Sequence, residues 1–302
     1  MFCSKHKLAT PNPVVKHPST LPSQRSPRVE GEDAAVGGGA GYDRCMGAGL
    51  EDLFGNQPPG EPDPEKGEQR RALVVAAHPD DADFGAAGTA HLLARAGWEV
   101  RYLVVTDGSK GTDDPAVDPV ALIAMRREEQ WAAARVLGVT DVRFLDFTDG
   151  ELTYTGAGSL GGGREVLGAI TRAIREYQPF AVYTHDPEPV IIQNAFVNHS
   201  DHRATGLATV DAVYPTARDR LNFPEQLAEG LTTHKVRELY LWGVNEPNFS
   251  VDITEVLETK IEALLAHTSQ FPDPGFVDQA RAFWRDKDGR SREQFRRIVM
   301  WG

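Results

Sequence analysis

The chain has 302 residues, 40% hydrophobic and 25% charged, which gives apolar material for a large core and room for one or two domains. Its formal net charge of −12 argues against holding nucleic acid or an anionic membrane surface by charge. The two cysteines, Cys3 and Cys45, lie far from any periodic segment, which argues against a disulfide framework and a cysteine-based zinc site. No run of about 18 apolar residues suggests a membrane-spanning helix. No apolar stretch before a small-residue cleavage site suggests a secretory signal, so the cytoplasm is the expected location.

Residues 1–69 are rich in Pro, Gly and Ser and lack a helical or strand period. Such a segment buries too little apolar surface to offset the entropy of ordering, so a disordered tail is expected there, followed by one folded domain over 70–302. From Arg71 the pattern changes. "ALVVAA" predicts a strand, and "GAAGTAHLLARAG" a helix closed by Gly97. "EVRYLVVT" predicts a strand, and "PVALIAMRREEQWAAARVLG" a long amphipathic helix stopped at Gly138. Next come a strand in "VRFLDF", a helix in "GREVLGAITRAIREYQ" and a strand in "FAVYTHD". A helix in "HSDHRATGLATVDAVY" and a strand in "RELYLWGV" follow. "VDITEVLETKIEALLAHTSQ" predicts a helix starting near Asp252 or Thr254, and "QARAFWRDKDGRSREQFRRIVM" a final helical stretch. Strands alternating with helices predict an α/β fold, a Rossmann-like three-layer sandwich with a mostly parallel sheet.

In such sheets ligands bind beyond the carboxyl ends of the strands. "AHPDD" ends the first strand, "TDG" the second and "THD" the fourth, while "DFTDG" follows the third, so polar residues gather at one rim. His78, Asp80 and Asp81 share one loop, stiffened by Pro79. His199 and His202, in "NHSDHR", are three apart at a helix start and can point at one spot. Two imidazoles and a carboxylate that leave a position open for water form the pattern of catalytic zinc. Taken singly, adjacent Asp residues also serve as helix caps, and a His pair also serves as a solvated helix face. Their coincidence at one rim favours a site.

"AHPDDADFGAAGT" with a later "HSDHRATG" resembles the PIG-L / LmbE-like family of zinc-dependent N-deacetylases, which act on N-acetylglucosamine conjugates and related amides. The resemblance covers about residues 71–300 and includes "RREEQWAAARVLGV", "FLDFTDGEL", "THDP" and "HTSQ" in the family's order. It implies His78, Asp81 and His202 as ligands of one Zn2+ per chain, with another divalent metal able to replace it. It implies Asp80 as general base, His199 as the group that stabilises the oxyanion or protonates the leaving amine, and Arg126 and Asp149 as substrate contacts. The chain departs from many relatives in carrying Ala82 and Asp83 after the HPDD motif, and in reading "NHSDH" for "HPDH". The implied partner is a small N-acyl sugar or amide, with a homo-oligomer left open.

Two other readings stand beside this one. A nucleotide-dependent enzyme would need a glycine loop directly after the first strand, where this chain has HPDD; "GAGSLG" at 156–161 comes after a poor strand and reads better as a loop bordering the site. A zinc-binding module without turnover is opposed by the intact Asp80 and His199. His185 and Asp186 fit either ligand-orienting partners or a plain strand end. His91 reads as a packing residue. His267 fits either the rim or a helix end at the surface. The tryptophans read as core or interface residues.

Overall fold

A strand covered on both faces needs apolar side chains at every position. β1 (Arg71–Ala76) has them: Ala72 through Ala76 are at most 1% exposed. In the computed structural model, which describes residues 60–156, 163–273 and 275–301, β1 is an interior strand of a seven-stranded sheet. Its companions are β2 (Glu99–Thr106), β3 (Asp141–Phe147), β4 (Ala181–His185), β7 (Glu238–Trp242), β8 (Phe249–Asp252) and β9 (Arg292–Val299). The order is β3-β2-β1-β4-β7-β9-β8. β3 through β7 run parallel, and β9 runs antiparallel to both β7 and β8. A two-stranded hairpin, β5 (Ile191–Ile192) and β6 (Phe196–Val197), stands apart.

Alternate residues of β1 feed the two faces. Ala72, Val74 and Ala76 pack with α1 (Asp81–Arg95), α2 (Pro119–Leu137) and Ala263 of α6 (Leu257–Leu265). Leu73 and Val75 pack with α3 (Gly163–Tyr177) and α4 (Ser200–Asp211). The result is the expected three-layer sandwich. A short helix, α5 (Pro224–Ala228), precedes β7. Gly97 and Gly138 adopt φ 81° and 76° at the ends of α1 and α2, as their stop positions require. No helix of the described residues is long and apolar enough to cross a membrane.

The C-terminal stretch differs from expectation. Only Phe276–Trp284 is helical (α7). The chain then turns at Asp286–Gly289, with Gly289 at φ 83°, and returns as strand β9. The burial of this segment alternates, with Glu293 and Phe295 inward. Glu293, 2% exposed, accepts from Gly88 N, Thr89 N, Thr89 Oγ1 and Lys260 Nζ. Lys260 Nζ also donates to Phe84 O at 2.7 Å. The pair therefore engages Phe84 O and Gly88 N, which an α-helix would normally pair with each other. The preceding helix also differs: β8 occupies Phe249–Asp252, and α6 follows one tight turn at Thr254–Val256.

The expected tail up to residue 59 and the glycine loop at 157–162 lie outside the described residues. Residues 60–69, grouped with the tail in the sequence, are described. Gly60 N donates to Glu238 Oε1 at 2.8 Å, and Glu68 Oε1 accepts from Arg237 Nε at 2.6 Å.

Candidate metal centre and active site

The strand order reverses between β1 and β4, and the crevice at their carboxyl ends is where an open α/β sheet builds a site. His78 stands just past β1 and is 1% exposed. Asp81 opens α1, and its Oδ2 accepts from His78 N at 2.7 Å and faces His78 Nδ1 at 3.0 Å. Its Oδ1 faces His202 Nε2, from the first turn of α4, at 3.1 Å. One ligand atom from each of His78, Asp81 and His202 fits within 4.8 Å of the others. Donors around one tetrahedral cation with bonds of about 2.0 Å stand about 3.3 Å apart, so these separations fit a zinc-sized ion.

The charge pattern agrees. Asp149 Oδ1 and Asp201 Oδ2 approach His78 Nε2 at 3.1 and 3.3 Å, neither aligned as a hydrogen bond. Burial pushes the His78 imidazole down, but Asp81, Asp149 and Asp201 outweigh it and hold it up at about 10. The three carboxylates make the surroundings of His78 anionic, which favours a cation there. Burial pushes His202 down to about 3 against the pull of Asp81, which leaves it a neutral ligand.

Asp80 occupies the N-cap position of α1 at φ 105° and makes no side-chain cap hydrogen bond. Asp118, at the same position of α2, does cap, accepting from Val120 N and Ala121 N. Helix capping therefore does not account for Asp80. Its Oδ2 meets Arg126 Nη2 at 3.3 Å. Burial raises its carboxyl above the usual range, Arg126 opposes the rise and Asp81 adds to it.

His199 is the N-cap residue of α4, and its Nδ1 accepts from Asp201 N at 3.2 Å. Burial lowers its pKa, and a neutral imidazole that accepts at Nδ1 carries its proton on Nε2. The ring centroid lies 4.9 Å from that of His78. The side chain therefore brings a hydrogen-bond donor to the candidate metal cluster, and His199 also forms a second candidate group with His78 and Asp201.

Arg126 is 2% exposed and donates to Gly108 O and Pro79 O at 2.9 and 2.7 Å. Asp149 is 1% exposed and accepts from Lys110 N at 3.0 Å. Both lie at the same rim as the histidines. His185 packs against the cluster: its ring stacks on His202 at 4.2 Å, and its Nε2 is 3.6 Å from Asp81 Oδ2. Trp242 Nε1 donates to its Nδ1 at 3.1 Å. Asp186 instead closes a turn, accepting from Glu188 N at 3.0 Å. His267 is not at the surface; it is fully buried, with its Nε2 2.8 Å from Asp83 Oδ2 in the first turn of α1. His91, partly buried, bonds Leu137 O through Nδ1 at 3.0 Å. The sequence reading missed Asp201, although it lies between the two histidines of "HSDH". It also missed Gln130, although the residue lies inside "RREEQWAAARVLGV".

Helix α4 approaches β4 closely at Gly206, where an added Cβ would lie 2.4 Å from His185 O. Backbone cannot yield as a side chain end can, so Gly206→Ala must move α4 and with it His199 and His202. The expected result is a loss of about 1–3 kcal/mol from overpacking, with weaker metal retention. Unchanged melting temperature and metal affinity would contradict this account.

The family profile described as "PIG-L: GlcNAc-PI de-N-acetylase" matches residues 73–213, a stretch that includes His78, Asp81 and His202. A diacetylchitobiose deacetylase of Thermococcus kodakarensis is 36% identical over 204 residues, 68% of this chain and 71% of that protein. The chain belongs to the PIG-L family. A probable N-acetyl-α-D-glucosaminyl L-malate deacetylase 2 of Bacillus cereus is 28% identical over 236 residues, 77% of this chain and 97% of that PIG-L-like relative. Among solved structures, the N,N'-diacetylchitobiose deacetylase of Pyrococcus horikoshii superposes with a TM-score of 0.70 at 29% identity. That match covers 89% of this chain and 95% of the other, so the PIG-L fold extends beyond the stretch matched by the profile.

Proposed function

We propose that the protein is a zinc-dependent N-deacetylase that removes the acetyl group from an N-acetylglucosamine conjugate. The observation that carries this reading is the Asp80 carboxylate, adjacent in sequence to a metal-binding Asp81 yet withheld from the helix cap it would otherwise make. His78, Asp81 and His202 would hold the ion. An ion there would supply Lewis acidity, polarising the amide carbonyl and lowering the pKa of water. Asp80 takes the proton from the attacking water. His199 offers its Nε2–H to the developing oxyanion. The amide C–N bond breaks, water oxygen joins the acyl carbon, and the amine leaves with a proton, giving acetate and a free amino sugar. Asp149 and Asp201 place negative charge beside His78 Nε2. Arg126 fixes Asp80 and the Gly108 turn, and in this reading it and Asp149 border the sugar.

The deciding experiment is acetate release by the metal-loaded protein across N,N'-diacetylchitobiose, N-acetyl-α-D-glucosaminyl L-malate and simple N-acetyl amides. Metal-dependent release from an amino-sugar conjugate is the expected result. No release from any of them, by protein with full metal content, would favour a metal-binding protein without turnover.

A further inference from the structure

Asp80 has a φ of 105°, in the left-handed region that an L-residue other than glycine enters at some conformational cost. Asp80 O is used by the helix, accepting from Asp83 N and Phe84 N at 3.0 Å each. Asp80 N is used by Gln130, whose Oε1 accepts from it at 2.9 Å. Gln130, on α2, is fully buried, and its other end donates from Nε2 to Asp83 Oδ2 at 2.7 Å. The same Oδ2 meets His267 Nε2, just past α6, at 2.8 Å. Asp83 and His267 are also fully buried. With both ends engaged, the amide of Gln130 has one orientation and cannot turn its oxygen away from Asp80 N.

We propose that Gln130, fixed in place by Asp83 and His267, is a positioning residue that keeps Asp80 in the left-handed conformation. It thereby keeps the carboxylate off the N-terminus of α1 and available to the attacking water. The inference rests on the deacetylase reading for its catalytic consequence but not for its conformational one. The physical logic is a competition. Without an acceptor at its N–H, Asp80 relaxes to the extended conformation of an ordinary N-cap, and its carboxylate competes for the N–H groups of the first turn, as Asp118 does on α2. A base captured as a cap is displaced from the water it must deprotonate, and small misplacements of reacting groups cost about 10²-fold in rate.

The test uses Gln130→Met, which keeps length and volume and removes both polar ends. Metal content, kcat, KM and a crystal structure are compared with the parent. The metal is expected to remain, KM to stay within about threefold, and kcat to fall about 10- to 100-fold. In the crystal structure residue 80 moves to negative φ with its carboxylate on a helix N–H. Asp83→Asn, which keeps an oxygen acceptor, retains kcat within about threefold, while Asp83→Leu behaves as Gln130→Met does. In an Asp80→Asn background Gln130→Met adds no further loss, since its effect passes through a base already removed. Gln130→Asn, too short to span both partners, carries the same expectations should the Met variant fail to fold. The proposal is overturned if residue 80 keeps its left-handed φ in the variant, or if the rate loss is undiminished in the Asp80→Asn background. If the parent hydrolyses no N-acetyl substrate, the deacetylase reading fails, and the conformation of residue 80 in the variant alone decides the positioning role.

Discussion

Asp80→Asn protein is expected to retain its metal and its substrate affinity while turning over about 10²–10⁴-fold more slowly than the parent, the usual worth of a general base. The amide matches the carboxylate in size and can still meet Arg126, but it cannot accept a proton from water. The side chain makes no cap hydrogen bond, so its replacement removes none from α1. His199→Ala is the natural companion: it also keeps the metal and loses about 10²–10³-fold in rate, the worth of one oxyanion donor. It costs some stability in addition, because His199 Nδ1 caps α4. Metal content, melting temperature and kcat measured together separate the two. Parental turnover by Asp80→Asn, or loss of its metal, would remove Asp80 from the role of base.

The second large effect concerns metal retention. His78→Ala, Asp81→Ala and His202→Ala should each yield protein that loses its metal on dialysis and has no measurable turnover. Asp81 is the most sensitive of the three, because its two oxygens face both histidines. Asp81→Asn keeps one oxygen in place but no charge, so excess zinc should restore part of its activity. Excess zinc should not restore Asp80→Asn, since that variant has not lost its metal. Full occupancy in all three alanine variants would sink the ligand assignment.

Much of this arrangement is legible in the sequence, because buried parallel strands and loop motifs have local signatures. β1, β2 and β4 are runs of apolar residues, and the polar residues that end them mark the rim. His78, Asp81 and His202 come together because two short motifs lie at the ends of neighbouring elements. The C-terminal strand was obscured because its inward positions include Glu293, whose burial depends on Lys260 and on α1 backbone distant in sequence. "DG" at Asp288–Gly289 is a turn signal, and it stands where the chain does reverse. Gln130 and His267 were opaque for another reason: their partners are Asp80 N and Asp83 Oδ2, on a different helix. Residue type alone does not announce such contacts.

The Glu293 clamp also has a consequence for the order in which the molecule is made. Glu293 is synthesised 205 positions after Gly88, whose N–H it binds on the helix that carries Asp81. At roughly 5–20 residues per second a ribosome needs some tens of seconds to span that interval. Throughout it the helix that carries Asp81 exists without the strand that fixes it, even after His78, Asp81 and His202 have all emerged. A cation captured early would therefore meet a looser set of ligands, and the finished centre is set only when the last strand joins the sheet.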